Sequence, residues 1–217
     1  MADPNSRSGV RYADPALLAF VERVHAAHDA ALERAFVAPS QHDMPQIQVG
    51  PSEGKLLHLL LRLAGARKVV EVGTLAGYSS IHIARALPAD GKLYTIELEP
   101  KHAEVARANL AAAGLDARVE VRVGPASSVL ATLSPLGPFD AVFLDADKQG
   151  YPDYAAWAVD HVRPGGLLLG DNAYFFGNLL ADDDAARAMR RFHELLPAAF
   201  DSVCIPTPDG LVLGIRR

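Results

Sequence analysis

A chain of 217 residues, 50% hydrophobic and 22% charged with a formal net charge of -5, has the apolar content for one sizeable core. The acidic total disfavours a surface that tracks nucleic-acid phosphates, and no apolar run is long enough to span a bilayer. A lone Cys204 rules out an intrachain disulfide. The N-terminus has no basic stretch followed by an apolar core and a small-residue cleavage site, so the sequence predicts a cytoplasmic protein.

Residues 1–14 are polar, with Pro, Ser and Gly, and read as a loose, flexible arm; residues 15–217 read as a single domain. From Pro15 the apolar positions Leu17, Phe20, Val21, Val24 and Ala31 recur at helical spacing, which predicts one long amphipathic helix to about Phe36. A linker containing Pro39, Pro45 and Pro51 follows, and Pro51 opens a second helix to about Leu63. After Gly65, short apolar runs alternate with helical segments. The predicted strands are Lys68–Val72, Lys92–Glu97, Arg118–Val123, Ala141–Asp145 and Leu167–Gly170, with Gly114 and Pro164–Gly166 as boundaries. Ser202–Ile205 and Leu211–Ile215, joined through Asp209 and Gly210, read as a hairpin. The expected class is α/β: a doubly wound, mostly parallel sheet with helices on both faces and a C-terminal antiparallel hairpin.

Val69–Ser79 reads VVEVGTLAGYS, a strand running into Gly73 and Gly77 and then a helix beginning near Ser79. Bare backbone there lets a carboxylate or phosphate approach the free amides of a helix start, although a tight strand-to-helix turn has the same pattern. The next strand ends at Glu97, where doubly wound folds grip a ribose diol with one carboxylate; together the two features point to a nucleoside. The spacing is GxxxG and not GxGxxG, which counts against a nicotinamide or flavin enzyme. Glu71 reads either as an anchor for a ligand ammonium or as a charge paired inside the protein. In GPAS, Gly124–Ser127, Ala126 either borders an adenine or belongs to a plain turn.

FLDADK, Phe143–Lys148, and the pair Asp171–Asn172 each end an apolar run. Asp145, Asp171 and Asn172 offer three oxygens at strand ends, the donor type a hard cation such as magnesium takes in an octahedron, with three positions left over. A vicinal phenolic diol fills two of those. Lys148 beside a cation is disfavoured in its charged form and suits a general base. Asp147 alternates away from Asp145 and reads as structural, and Asp182–Asp184 reads as a helix start. Of the nearby aromatics, Trp157 reads as core, and Tyr174 and Phe175 as a wall for a planar acceptor. The histidines are scattered without a close pair, so zinc has no evident ligand set.

At these residues the chain resembles the cation-dependent class I O-methyltransferases, the group of catechol and caffeoyl-coenzyme A O-methyltransferases. EVGTLAGYS, TIELEP, GPA, FDAVFLDADK, YPDY, GDN and the closing PDGLVLG fall in the family order from about Gln48 to the C-terminus. The resemblance implies S-adenosylmethionine as methyl donor, with Glu71, Gly73, Gly77, Ser79, Glu97, Ala126 and Asp145 toward it. It implies magnesium, or calcium or manganese in its place, on Asp145, Asp171 and Asn172, and Lys148 as the base. Ile47, where many relatives carry a methionine, joins Lys148, Tyr174 and Phe175 toward a small phenolic acceptor. It also implies a homodimer. Three other readings are a transfer-RNA hydroxyuridine methyltransferase of the same fold, against which the acidic total counts, an NAD(P)-dependent reductase supported by Glu97 alone, and a non-catalytic binding module, against which the full acid, amide and lysine set counts.

Overall fold

The computed structural model describes residues 14–217; the loose arm expected over residues 1–14 lies outside them except for Asp14, whose side chain caps the first helix by accepting from the amides of Ala16 and Leu17. Two helices come first, α1 (Pro15–His25) and α2 (Ala30–Gln41), where the apolar spacing had predicted one. Asp29 makes the difference. Its side chain accepts from the amides of Ala31 and Leu32, satisfying helix-start donors that a continuous helix would spend on carbonyls. His28 fixes the break by bonding Glu33 and the Tyr78 hydroxyl, both at 2.8 Å. Pro39, expected in a linker, sits in the last turns of α2. The following α3 (Pro51–Leu63) starts at Pro51 as predicted, with Glu53 reaching back to the Gly50 amide.

The alternating part comprises β1 (Lys68–Val72), α4 (Tyr78–Ala86), β2 (Lys92–Glu97), α5 (Pro100–Ala112), β3 (Val119–Val123), α6 (Ala126–Leu133), β4 (Phe139–Leu144), α7 (Tyr151–His161), β5 (Val162–Gly170), α8 (Asp184–Ala199), β6 (Phe200–Ile205) and β7 (Leu211–Arg216). Together the strands make a seven-stranded sheet in the order β3-β2-β1-β4-β5-β7-β6, with β7 antiparallel to β5 and to β6 and the other pairs parallel. Pro164–Gly166, expected to precede the fifth strand, lies within β5; its register against β4 jumps between Phe139↔Val162 and Ala141↔Leu167, so these residues form an irregular step. Asp183 caps α8 as the acidic run suggested, accepting from Ala186 N.

Alternation along the strands builds a core on each face. Val69, Leu93, Ala141, Phe143, Leu167 and Leu169 face Leu32, Leu57, Leu61, Ile81 and Leu110 of α2–α5. Val70, Val72, Val142, Leu144 and Leu168 face α6, α7 and α8 through Leu130, Leu133, Ala158, Met189 and Phe192. Strands buried on both faces are rigid, and they fix the positions of whatever follows their C-terminal ends.

Candidate active site

The parallel register lines up the strand ends. Val72 pairs with Ile96 on one side and Leu144 on the other, and Leu144 pairs with Gly170. The next residue on each strand is Glu97, Gly73, Asp145 or Asp171, so these four stand in one row across β2, β1, β4 and β5, spaced by about 4.8 Å per strand. Backbone bonds carry the ladder into the row: Gly73 N to Ile96 O at 3.0 Å, Asp145 N to Val72 O at 2.8 Å and Asp171 N to Leu144 O at 2.9 Å. Chain order reverses between β1 and β4, the place where open α/β sheets bind ligands.

A cavity of about 500 Å³ opens there, lined among others by Gly73, Ser79, Glu97, Ala126, Asp145 and Ile47. Gly73 is required by packing: at φ +101°, a Cβ on it would stand 1.8 Å from the Asp145 carbonyl oxygen. Gly77, at φ +82°, is the left-handed residue from which α4 starts. Glu97 is buried. Its Oε2 accepts from Leu75 N at 2.7 Å and Thr74 N at 3.3 Å, and its Oε1 from Glu99 N at 3.0 Å, so the acid braces the glycine turn as well as facing the cavity. Leu75 itself holds φ +50° in the turn that Glu97 braces.

Glu71 is hydrogen-bonded to two serine hydroxyls, a neutral pairing that neither of its two sequence readings named. It is fully buried behind the cavity wall, with Oε1 accepting from Ser79 Oγ at 2.6 Å and Oε2 accepting from Ser80 Oγ. Burial raises its carboxyl to about 7 against the pull of those hydroxyls. Ala126, the first residue of α6, lines the cavity beside Gly124 and Ser127. Ile47 is 71% exposed at the mouth.

On the other half of the row, Asp145 and Asp171 are neighbours, and Asn172 follows in the left-handed conformation at φ +53°, which asparagine tolerates. Burial raises both carboxyls, and the Asp145 charge helps push Asp171 up to about 7. Burial lowers Lys148, against the opposing pull of Asp145 and Asp171. Its Nζ stands 3.5 Å from Asp145 Oδ1 and donates to the Tyr151 hydroxyl at 2.8 Å. Two carboxylates that disfavour each other's ionisation, with an amide oxygen donor next to them, make a donor set suited to a hard dication. Among the described residues no group of three or more His, Cys, Asp or Glu side chains has a metal-holding arrangement.

Asp147, expected to alternate away from Asp145, lines the same cavity, with its carboxylate engaged in holding the local turn. Its carboxylate accepts from Gly150 N at 2.9 Å and from the Tyr154 hydroxyl at 2.6 Å, which pins the turn carrying Lys148. Trp157 donates to Ser134 Oγ and stacks on His161. The loop after Asn172 is held by the β6–β7 hairpin: Tyr174 N donates to Asp209 O at 2.8 Å and Phe176 N to Asp209 Oδ1 at 2.9 Å. Tyr174 and Phe175 are half-buried, Phe175 partly packed on the core, and Phe176 is exposed. Sequence reasoning passed over Tyr151, Asp209 and Leu75 as site-builders. YPDY and PDG were visible as motifs, but the carbonyls and amides they engage belong to distant segments.

The O-methyltransferase family profile matches residues 23–217. This chain belongs to that family. Two O-methyltransferase relatives are catechol O-methyltransferases, from Mycobacterium tuberculosis, 44% identical over 94% of this chain and 96% of the relative, and from Niastella koreensis, 42% identical over 87% and 91%. The crystal structure of an O-methyltransferase from Bacillus cereus in complex with SAH superposes with a TM-score of 0.89 at 36% identity, covering 93% of this chain and 97% of that one. Membership decides for methyl transfer over hydride transfer. No helix of this O-methyltransferase among the described residues is long and apolar enough to cross a membrane.

Proposed function

We propose that this O-methyltransferase moves the methyl group of S-adenosylmethionine to a hydroxyl of a catechol-like small molecule, with a divalent cation, magnesium or calcium or manganese in its place, as cofactor. The observation that carries the reading is the single row Glu97, Gly73, Asp145, Asp171, which sets a nucleoside-type pocket directly against an oxygen-donor set with Lys148 beside it. The SAH-bound relative and the catechol O-methyltransferase names point the same way.

In this reading Glu97 accepts from the donor's ribose hydroxyls, Gly73 and Gly77 leave room for its backbone contacts, Ser79 is aimed by Glu71, and Ala126 borders the adenine. Asp145, Asp171 and Asn172 hold the cation, which when bound polarises a phenolic hydroxyl as a Lewis acid. Lys148 takes the hydroxyl proton on Nζ, and Asp145, placed between cavity and donor set, fixes the approach of the two reactants. Orientation of that kind converts a bimolecular transfer into an effectively intramolecular one. Ile47, Tyr174 and Phe175 border the acceptor. A cytoplasmic location fits the lone cysteine, and the outward-facing Leu17, Phe20 and Val24 of α1 fit a homodimer.

The test is methyl transfer to a panel of vicinal diphenols with and without chelator, on the native protein and on Asp145→Ala. Turnover that requires the cation and vanishes in the variant is expected. Full turnover in chelator, or in Asp145→Ala, would refute the mechanism.

A further inference from the structure

Tyr151 is fully buried, yet its hydroxyl makes three polar contacts within 3.0 Å. It lies 3.0 Å from the carbonyl oxygens of Leu144 and of Asp171, and 2.8 Å from Lys148 Nζ. A phenol has one proton to donate, which is shared between the two carbonyls, and its lone pair receives an N–H of Lys148. The two carbonyls belong to the last residue of β4 and to the first residue beyond β5, so one hydroxyl spans the two strand ends that present Asp145 and Asp171. The ring is held independently of the oxygen, edge-on to Phe192 with centroids 5.2 Å apart, and Lys148 Nζ lies 4.6 Å from the ring centroid.

The lysine therefore has two competing partners. Asp145 Oδ1 is 3.5 Å away, at the outer limit of a hydrogen bond, and the tyrosine oxygen is at optimal distance. An ammonium that closed fully onto Asp145 would occupy the carboxylate oxygen the cation needs. Resting on the reading of Asp145 and Asp171 as cation ligands and Lys148 as base, we propose that Tyr151 is a positioning residue that withholds Lys148 from Asp145, keeping the carboxylate open to a divalent cation. It is fully buried outside the cavity lining and acts through the lysine.

Tyr151→Phe removes the oxygen and keeps the ring. Calorimetric titration with Mg2+ or Mn2+ alone should show cation affinity reduced roughly tenfold, the scale of one lost charge-assisted contact. In turnover, kcat should fall while KM for the methyl donor stays within about twofold, since the donor pocket is untouched. The deciding measurement is the double variant Tyr151→Phe/Lys148→Met, which deletes the ammonium that would collapse onto Asp145. The expected result is that the double variant binds the cation as tightly as Lys148→Met alone, which sets the gain that loss of the ammonium gives by itself. A double variant that binds as weakly as Tyr151→Phe would mean that Tyr151 acts only by holding the strand ends, and a Tyr151→Phe protein with native cation affinity would likewise overturn the proposal. Native protein that takes up no cation, or whose uptake survives Asp145→Ala, defeats the metal-site reading itself and with it this inference.

Discussion

Gly73→Ala probes the point where fold and site meet. The glycine holds φ +101°, and the added Cβ would stand 1.8 Å from the Asp145 carbonyl oxygen and 2.8 Å from its carbon. Both are backbone atoms, so no side-chain rotation relieves the contact; β1 and β4 must move apart at their tips. Left-handed conformation costs a non-glycine residue about 1–2 kcal/mol, and forcing volume into a packed region adds about 1–3 kcal/mol. The sum is roughly 2–5 kcal/mol. Gly65→Ala supplies the control, because Gly65 is also left-handed at φ +61° but a methyl added there would meet nothing within 4 Å; only the conformational part, about 1–2 kcal/mol, applies there. Urea unfolding of the two variants therefore isolates the clash, and Gly73→Ala should be the less stable by at least about 1 kcal/mol, or about 2–4 °C in melting temperature for a chain of this size. Because the displaced carbonyl belongs to Asp145, Gly73→Ala should also weaken S-adenosylhomocysteine binding where Gly65→Ala does not. Equal stability and equal binding in the two variants would refute the close-approach argument.

His82 is buried with no hydrogen-bond partner for Nε2, and burial lowers its pKa to about 3. The folded protein refuses a proton that the unfolded chain accepts below about 6.5, so stability should fall as pH drops through that window, by about 2 kcal/mol at pH 5; His82→Phe should flatten the slope in urea titrations at pH 7 and pH 5. Glu71 works in the opposite sense: its folded pKa of about 7 lies above the ordinary 4.5, so its contribution is full below 4.5 and lost as pH rises through 7, about 3 kcal/mol in all. Glu71→Gln should remove that loss, and a variant with the native slope between pH 5 and 8 would show that the carboxyl ionises freely. Asp209→Ala deletes the bond from Phe176 N that holds the loop after Asn172; acceptor KM should rise several-fold with donor affinity unchanged, and a loss of donor affinity instead would place the loop elsewhere in the mechanism.

The sheet was legible because its signal is local. Buried parallel strands read as apolar runs, and each of the five predicted ones has its counterpart; the hairpin announced itself through Asp209 and Gly210. The elements misjudged are those where a single side chain overrides periodicity. Apolar spacing carries straight through Asp29, and only the capping bonds to Ala31 and Leu32 show that one helix has become two. Pro164 and two glycines look like an end, yet the register slips by an irregular step and β5 continues around it.

Within the site the same division holds at finer scale. Glu97, Asp145 and Asp171 were readable because each is a polar residue closing an apolar strand, and parallel register then obliges them to share one row with Gly73. What a carboxylate does in that row depends on atoms far away in sequence. Glu71 closes no strand end: it is buried one step before Val72, and the hydroxyls of Ser79 and Ser80 consume both of its oxygens. Asp145, two strands' worth of chain later, has an ammonium nearby that binds a tyrosine more closely than it binds the acid. The difference between an acid that is spent and one that is kept open is therefore set by its neighbours' alternative partners, and for Asp145 that alternative is a single phenolic oxygen.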